Sequence, residues 1–295
     1  MTLNHYRIFY TVIKQKSFLS AAELLGLTPS AVSHAISKLE KELGIKLFVR
    51  QKQGIVMTDA AKTLLPHVRI LLNDAEQLQQ IAQKIKGLEI GCVKIGMFNS
   101  VCVNWMPQIV KAFREKYPNI EVQIFQGGYD DVATWIQNDT VDIGFVSMSN
   151  EYHFEVTPLY KDALLCIVPK GFKCLNEGVI TPEDLKGQHL IHQSEGNDIE
   201  TKSYLRKHYL SVATPFQIED DQSLLAIVES GLGICIVSEL ILKSFVHHVD
   251  SYPLKPEAYR VIGLAVKEKE TLSPVAEICH KFIVEFLRDN GIANL

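Results

Sequence analysis

Long apolar runs are missing from this chain: no stretch reaches the eighteen or so uncharged residues a bilayer-spanning helix needs, which excludes a helical membrane protein. The amino terminus lacks the basic, apolar, small-residue pattern of a secretory leader, so a cytoplasmic protein is the expectation. Cysteine is sparse. Cys92, Cys102, Cys166, Cys174, Cys235 and Cys279 fall mostly within apolar strand-like runs, without framework spacing, and read as free buried thiols in a reducing compartment. There is no phosphate-binding glycine loop, no nucleophile elbow and no paired metal-ligand cysteines. His189 with His192, and His247 with His248, lack a third ligand at telling spacing. No catalytic residue, metal site or cofactor is therefore assigned, and an enzyme stays as a rival class only because two-lobed α/β domains also host catalysis.

Acidic residues are scarce at the front of the chain. Residues 1–66 hold nine Lys or Arg against Glu23, Glu40, Glu42 and Asp59, a net of +5 that leaves −9 for the remainder. A basic head on an acidic body points to nucleic acid as the head's partner.

Within that head, Ser20 to Leu39 carries two short helical patterns flanking Gly26-Leu27-Thr28-Pro29. Ser20 and Glu23 have capping-box spacing, Gly26 is a helix terminator, Thr28 a cap and Pro29 a first-turn proline. Helices joined so tightly must cross steeply, as in a helix-turn-helix. On the second helix Val32, Ala35, Ile36 and Leu39 form an apolar stripe, while Ser30, Ser33, His34, Ser37 and Lys38 form a face with no carboxylate before Glu40. Together with Thr28, these are groups that bond base edges or phosphates, so double-stranded DNA is the expected partner. Leu3, Tyr6, Phe9, Tyr10 and Ile13 supply a third helix upstream. Downstream, Leu47 to Arg50 and Ile55 to Met57 read as a basic hairpin around Gln51-Lys52-Gln53-Gly54, with Arg50, Lys52 and Gln53 placed to reach the DNA backbone or minor groove.

Thr58 caps a long helical pattern in which Ala61, Leu64, Val68, Leu71, Ala75, Leu78, Ala82 and Ile85 alternate spacings of three and four, with Pro66 near its start. Nothing local is evident to bury this heptad seam, so Leu64, Val68, Leu71, Leu78 and Ile85 are assigned to pairing with a second subunit. The alternative is packing onto its own domain. Gly87 and Gly91 mark a hinge, beyond which strand-like and helical runs alternate, predicting a mainly parallel sheet with helices on its faces in two lobes.

These residues together resemble the LysR-type transcriptional regulators. The resemblance runs through Ser17-Phe18, Ala21 to Leu25, Pro29 to Ser33, Leu39 to Gly44, Leu47-Phe48 with Arg50, and Met57 to Ala60. It continues more weakly through Phe113 to Pro118 and Gly231 to Ile234. Ala61 stands where the family usually has glycine, and His34 and Ala35 where many members carry arginine and a polar residue.

The resemblance implies an α/β protein with three parts: a winged helix-turn-helix over residues 1–58, a linker and dimerisation helix over 59–87, and an effector domain over 88–295. The last would have two α/β lobes, about 88–162 plus 267–295 and 163–266, like type 2 periplasmic binding proteins. It implies a regulator that acts as a homodimer or homotetramer on an inverted-repeat operator, working with RNA polymerase and modulated by a small molecule between the lobes. Asn99, Ser100, Val101, Gly128, Ser147, Ser194 and Val237 would then line the effector site, in loops beyond the strand ends. Hydroxyls and helix amino ends favour an anion, so a carboxylate is expected, with Glu195, Asp220 and Asp221 adding a side suited to the amino group of an amino acid. A thiol-based redox sensor using Cys166 and Cys174 is the rival within the family.

Overall fold

The computed structural model describes the chain except Met1, Gln217, Glu219 and residues 52–53, 87–88, 150–151, 174–177, 192–198 and 211–215, and except the side chains of Arg50 and Gln51. It divides into two compact units, Met1–Leu88 with Asn138–Thr140, and Glu89–Gln137 with Val141–Leu295. Among the described residues no helix is long and apolar enough to cross a membrane.

In the first unit α1 (Leu3–Gln15), α2 (Phe18–Leu25) and α3 (Pro29–Leu43) precede a hairpin of β1 (Phe48–Gln51) and β2 (Gly54–Met57), and then α4 (Asp59–Ile85). Gly26 adopts φ 63°, and its amide reaches back to the carbonyls of Ala22 and Glu23, ending α2. Thr28 restarts the chain, its hydroxyl accepting the Ala31 amide at 3.2 Å with Pro29 in the first turn. The start of α2 corrects the capping-box expectation: Ser17, not Ser20, is the cap, accepting the Ser20 amide at 3.3 Å. The earlier start carries Phe18 onto Phe48, with ring centroids 5.8 Å apart. Phe9, Val12, Ala21, Ala22, Val32, Ile36 and Leu39 fill the core between the three helices.

α4 is continuous through Pro66 over 27 residues, about 40 Å at 1.5 Å per residue. Its apolar stripe has two different fates. Ala61 and Val68 are buried in the head's own core, and Leu64 and Leu72 pack against it. Leu71, Leu78 and Ile85 are exposed, Leu78 at 70% and Ile85 at 81%. Leu64 and Val68 are thus drawn from the seam into the head's own core, to which α1 contributes Ile8, Phe9 and Val12.

The second unit runs β3 (Gly91–Met97), α5 (Asn99–Asn104), α6 (Met106–Lys116), β4 (Ile120–Gln126), α7 (Tyr129–Gln137), β5 (Ile143–Ser147) and β6 (Glu155–Pro169). It continues through α8 (Pro182–Leu185), β7 (Leu190–Ile191), α9 (Ile199–Lys207), α10 (Asp221–Glu229), β8 (Ile234–Ser238) and α11 (Glu239–Leu242). β9 (Val249–Pro253), β10 (Tyr259–Val266) and α12 (Pro274–Asp289) complete it. Gly91 opens β3 rather than forming a hinge.

Strand order is β4-β3-β5-β10-β6-β8-β7, with β9 also on β6. β3 is parallel to β4 and β5, and β7 to β8, but β10 is antiparallel to β5 and β6, and β6 to β8 and β9. The sheet is therefore mixed rather than mainly parallel. The physical reason is β6: its first half pairs with β10, and from Leu164 onward it pairs with β8 and β9, so a strand leaving one lobe enters the other against the grain. β10 makes the return passage and belongs to the first lobe's sheet, which places the second lobe at about residues 164–258 instead of 163–266.

The register of β10 shifts between Ile262 and Gly263, where Pro158 lies in β6; a bulge tolerates a proline that cannot donate to the ladder. Period-two alternation then sends Cys166 and Val168 to one core of the second lobe and Ile167 to another. The first lobe's core gathers Ile95, Met97, Trp105, Ile109, Phe113 and Phe145 with Ile283 and Leu287 of α12.

Candidate functional site

Two places concentrate polar chemistry, one in each unit. In the head, Ser30, His34, Ser37 and Lys38 are exposed on α3 and Ser33 is half-buried. Thr28 is also exposed, but its hydroxyl is engaged by the Ala31 amide and lies 3.0 Å from the Ser30 hydroxyl, so it is a cap before anything else. Arg50 pairs with Ile55 in the hairpin register; Lys52 and Gln53 lie outside the described residues.

Glu40 does not end the outer face as its spacing suggested. It turns inward, 8% exposed, and its carboxylate accepts the Leu47 amide at 2.8 Å, the Phe48 amide at 3.3 Å and the Lys46 ammonium at 2.6 Å. Burial pushes its pKa up, but the Lys46 hydrogen bond and the two amides outweigh that and hold it below the usual carboxylate range. One side chain thereby fixes where the wing leaves the recognition helix. Thr58 ties the other end, donating to the Lys46 carbonyl at 2.7 Å while capping α4.

Because the folded-state pKa of Glu40 is depressed, its stabilisation is present above the unfolded value of about 4.3 and is lost as pH falls through the folded value. Glu40→Gln should lower the head's stability at pH 7 by about 1–3 kcal/mol and flatten its acid limb, read by circular dichroism melts between pH 3 and 7. An acid limb unchanged in the variant would show that other carboxylates dominate.

The second place lies where the two lobes meet. Arg260 is 3% exposed. Its Nε and Nη2 hold Asp162 at 2.9 and 2.8 Å, Nη1 donates to Tyr129 at 2.6 Å, and Nη2 donates to Ser100 at 2.8 Å, while the guanidinium carbon sits 4.9 Å from the Phe98 ring centroid. Burial works against its charge, but Tyr129 and Asp162 beside it more than compensate and raise its pKa. Burial pushes the Tyr129 phenol up. The second oxygen of Asp162 accepts the Leu240 amide at 3.1 Å, tying α11 to the same cluster.

Two further contacts cross from the second lobe. Glu200, in the first turn of α9, accepts from the Ser147 hydroxyl at the end of β5, and Asp221 of α10 accepts from the Asn99 amide at 2.9 Å. The charge of Glu200 acts on both Arg260 and Tyr129. Of the residues assigned from sequence, Asn99, Ser100 and Ser147 meet here; Val101 and Val237 are instead packed into separate hydrophobic cores, and the Gly128 amide donates to Asp131 at 2.9 Å. Ser194 and Glu195 lie outside the described residues, and Asp220 caps α10 through the Ser223 amide at 2.8 Å.

Arg260, Asp162 and Glu200 escaped sequence reasoning, and Tyr129 is visible there only as the end of the Gly127-Gly128-Tyr129 loop after β4. The available signal was Arg260 itself, a lone cation in the otherwise apolar run Tyr259–Val266.

Cys166 is fully buried and burial pushes its thiol up to about 12, so it carries no thiolate for peroxide chemistry; Cys174 lies outside the described residues, as does His192. Among the described residues no three His, Cys, Asp or Glu side chains group as metal ligands.

Residues 3–62 match the family model for bacterial regulatory helix-turn-helix proteins of the lysR family, and residues 86–288 match that for the LysR substrate binding domain. The chain is 30% identical over 284 residues to the uncharacterized HTH-type transcriptional regulator YoaU of Bacillus subtilis, covering 96% of this chain and 97% of that one. In fold it is similar to a full-length single-substitution variant of OxyR from Pseudomonas aeruginosa, with TM-score 0.78 at 19% identity over 99% and 96% of the two chains. It is also similar to full-length CbnR in complex with its target DNA, with TM-score 0.69 at 16% identity over 96% and 99%.

Proposed function

The chain belongs to the LysR family of DNA-binding transcriptional regulators, and from that premise we propose which surfaces read DNA, which pair subunits and what the second unit binds. Ser33, His34 and Ser37 read base edges from α3, while Ser30, Lys38 and, from the wing, Arg50, Lys52 and Gln53 hold the backbone. The observation that carries this reading is the outer face of α3, free of carboxylate from Ser30 to Lys41, standing on a wing that Glu40 locks in place.

The exposed half of the α4 stripe, Leu71, Leu78 and Ile85, supports a homodimer through this helix, with a homotetramer as the larger assembly. Two-fold pairing of heads fits an inverted-repeat operator. The protein acts in the cytoplasm, on DNA together with RNA polymerase, and performs no catalysis of its own. Its second unit binds a small carboxylate or amino acid between the lobes, near Asn99, Ser100, Ser147 and Ser194; the hydroxyls that Arg260 orients there support an anion. No other cofactor is required.

Footprinting upstream of the chain's own gene, repeated with a carboxylate and amino-acid panel, tests both halves: protection that never appears, or never responds to any compound, overturns the corresponding half. In the same assay Lys38→Ala should weaken binding to all sequences and reduce the slope of log K against log salt by about 1 per copy, whereas Ser33→Ala or His34→Ala should shift sequence preference. A Lys38→Ala slope equal to wild type would remove Lys38 from the phosphate contacts.

A further inference from the structure

We propose that Glu200 is an internal carboxylate ligand: reaching from the second lobe, it fills the acid-group position that Ser147 and the Arg260 cluster form on the first, and an effector's carboxylate enters by displacing it. Guanidinium groups only donate, so Ser100 must accept from Arg260 at 2.8 Å, which leaves its own proton to be given away. Ser147 accepts the Ser149 amide at 3.3 Å and gives its proton to Glu200, because a carboxylate only accepts. Ser147 sits opposite Ile262 in the β5–β10 register, two residues from Arg260 on the same strand, so these hydroxyls and the buried cation belong to one receptor.

Glu200 is 8% exposed although it lies in the first turn of a helix, and its neighbour Ile199 packs against the first lobe's core, so the amino end of α9 is seated across the lobe boundary. Arg260 is already matched by Asp162, so among the described residues Glu200 is held by an oriented hydroxyl in the field of that cation and not by an ion pair of its own. That is the environment a carboxylate ligand would meet. Asp221 on Asn99 closes the same boundary at a second point. An acid whose remaining groups add contacts that acetate lacks can outcompete Glu200 there, and its entry frees the α9 end from the first lobe.

This inference rests on the reading of a carboxylate-bearing effector, and its test separates the two. Full-length Glu200→Ala is melted in sodium acetate and in sodium chloride at equal ionic strength. In chloride the variant should melt about 3 °C or more below wild type. Acetate, a bare carboxylate, should raise that value saturably, while wild type, whose position is filled, and Glu200→Ala/Ser147→Ala, whose donor is gone, should not respond.

Glu200→Ser repeats the measurement with a residue suited to a helix's first turn, should the alanine variant fold poorly. Acetate acting equally on wild type and variants, or on neither variant, overturns the proposal. If acetate rescues the variants but no member of the carboxylate and amino-acid panel binds wild type, the internal ligand stands and the effector class falls. If panel compounds bind wild type without any acetate rescue, the reverse holds.

Discussion

Leu78→Glu is expected to split the dimer and to lower affinity for an inverted-repeat operator by about 100-fold or more, the order of avidity lost when two linked heads become independent. Leu78 is 70% exposed on a 27-residue helix whose neighbouring stripe positions, Leu71 and Ile85, are exposed as well. A carboxylate there meets water in the lone chain and disturbs nothing in the head core, which ends near Val68 and Leu72 on this helix. In a paired helix the same carboxylate is buried against apolar side chains twice per dimer, a burial that isolated charges do not tolerate. Binding to a half-site should be unchanged, which separates lost pairing from a damaged head. Sedimentation equilibrium at nanomolar to micromolar concentration, with anisotropy on full and half sites, reads both. A variant that stays dimeric and binds the full site like wild type would place the dimer contact elsewhere.

Asp162→Ala is expected to cost about 3–5 kcal/mol in the second unit, because it strands a buried guanidinium. Arg260 is 3% exposed and among the described residues would keep only the oxygens of Tyr129 and Ser100, while the Leu240 amide loses its acceptor as well. The second unit's melting transition should fall by about 10 °C. Adding Arg260→Met to Asp162→Ala should recover a large part of the loss, since a methionine of comparable reach leaves no charge uncompensated. Calorimetry of the full chain decides it. An Asp162→Ala transition within a degree or two of wild type would mean that solvent reaches Arg260.

The helix-turn-helix was legible because every signal in it is local. Gly26, Thr28 and Pro29 act on residues within one turn of themselves, and the α3 stripe repeats within a single helix. Periodicity on α4 is equally plain, but a repeat says that a face is apolar and not what covers it, so sequence gives Leu64 and Val68 to a partner although the head's own core takes them. The choice of Ser17 over Ser20 turned on Phe18 meeting Phe48, thirty positions away.

Distance along the chain also hid the interlobe cluster: Asp162 meets Arg260 across 98 residues, and Ser147 meets Glu200 across 53. The first half of β6 escaped as a strand because Glu155, Pro158, Lys161 and Asp162 break its apolar pattern, and pairing along β10 overrides that local signal.

β6 passes from one lobe's sheet to the other's without a break, and β10 lies along its first half. An extended strand is already near full length, so the lobes cannot draw apart along it; what remains soft is rotation about the strand axis. A carboxylate seated beside Arg260, as proposed, would act on that one soft coordinate, and its binding would be expressed as a change of angle between the lobes and not of their separation.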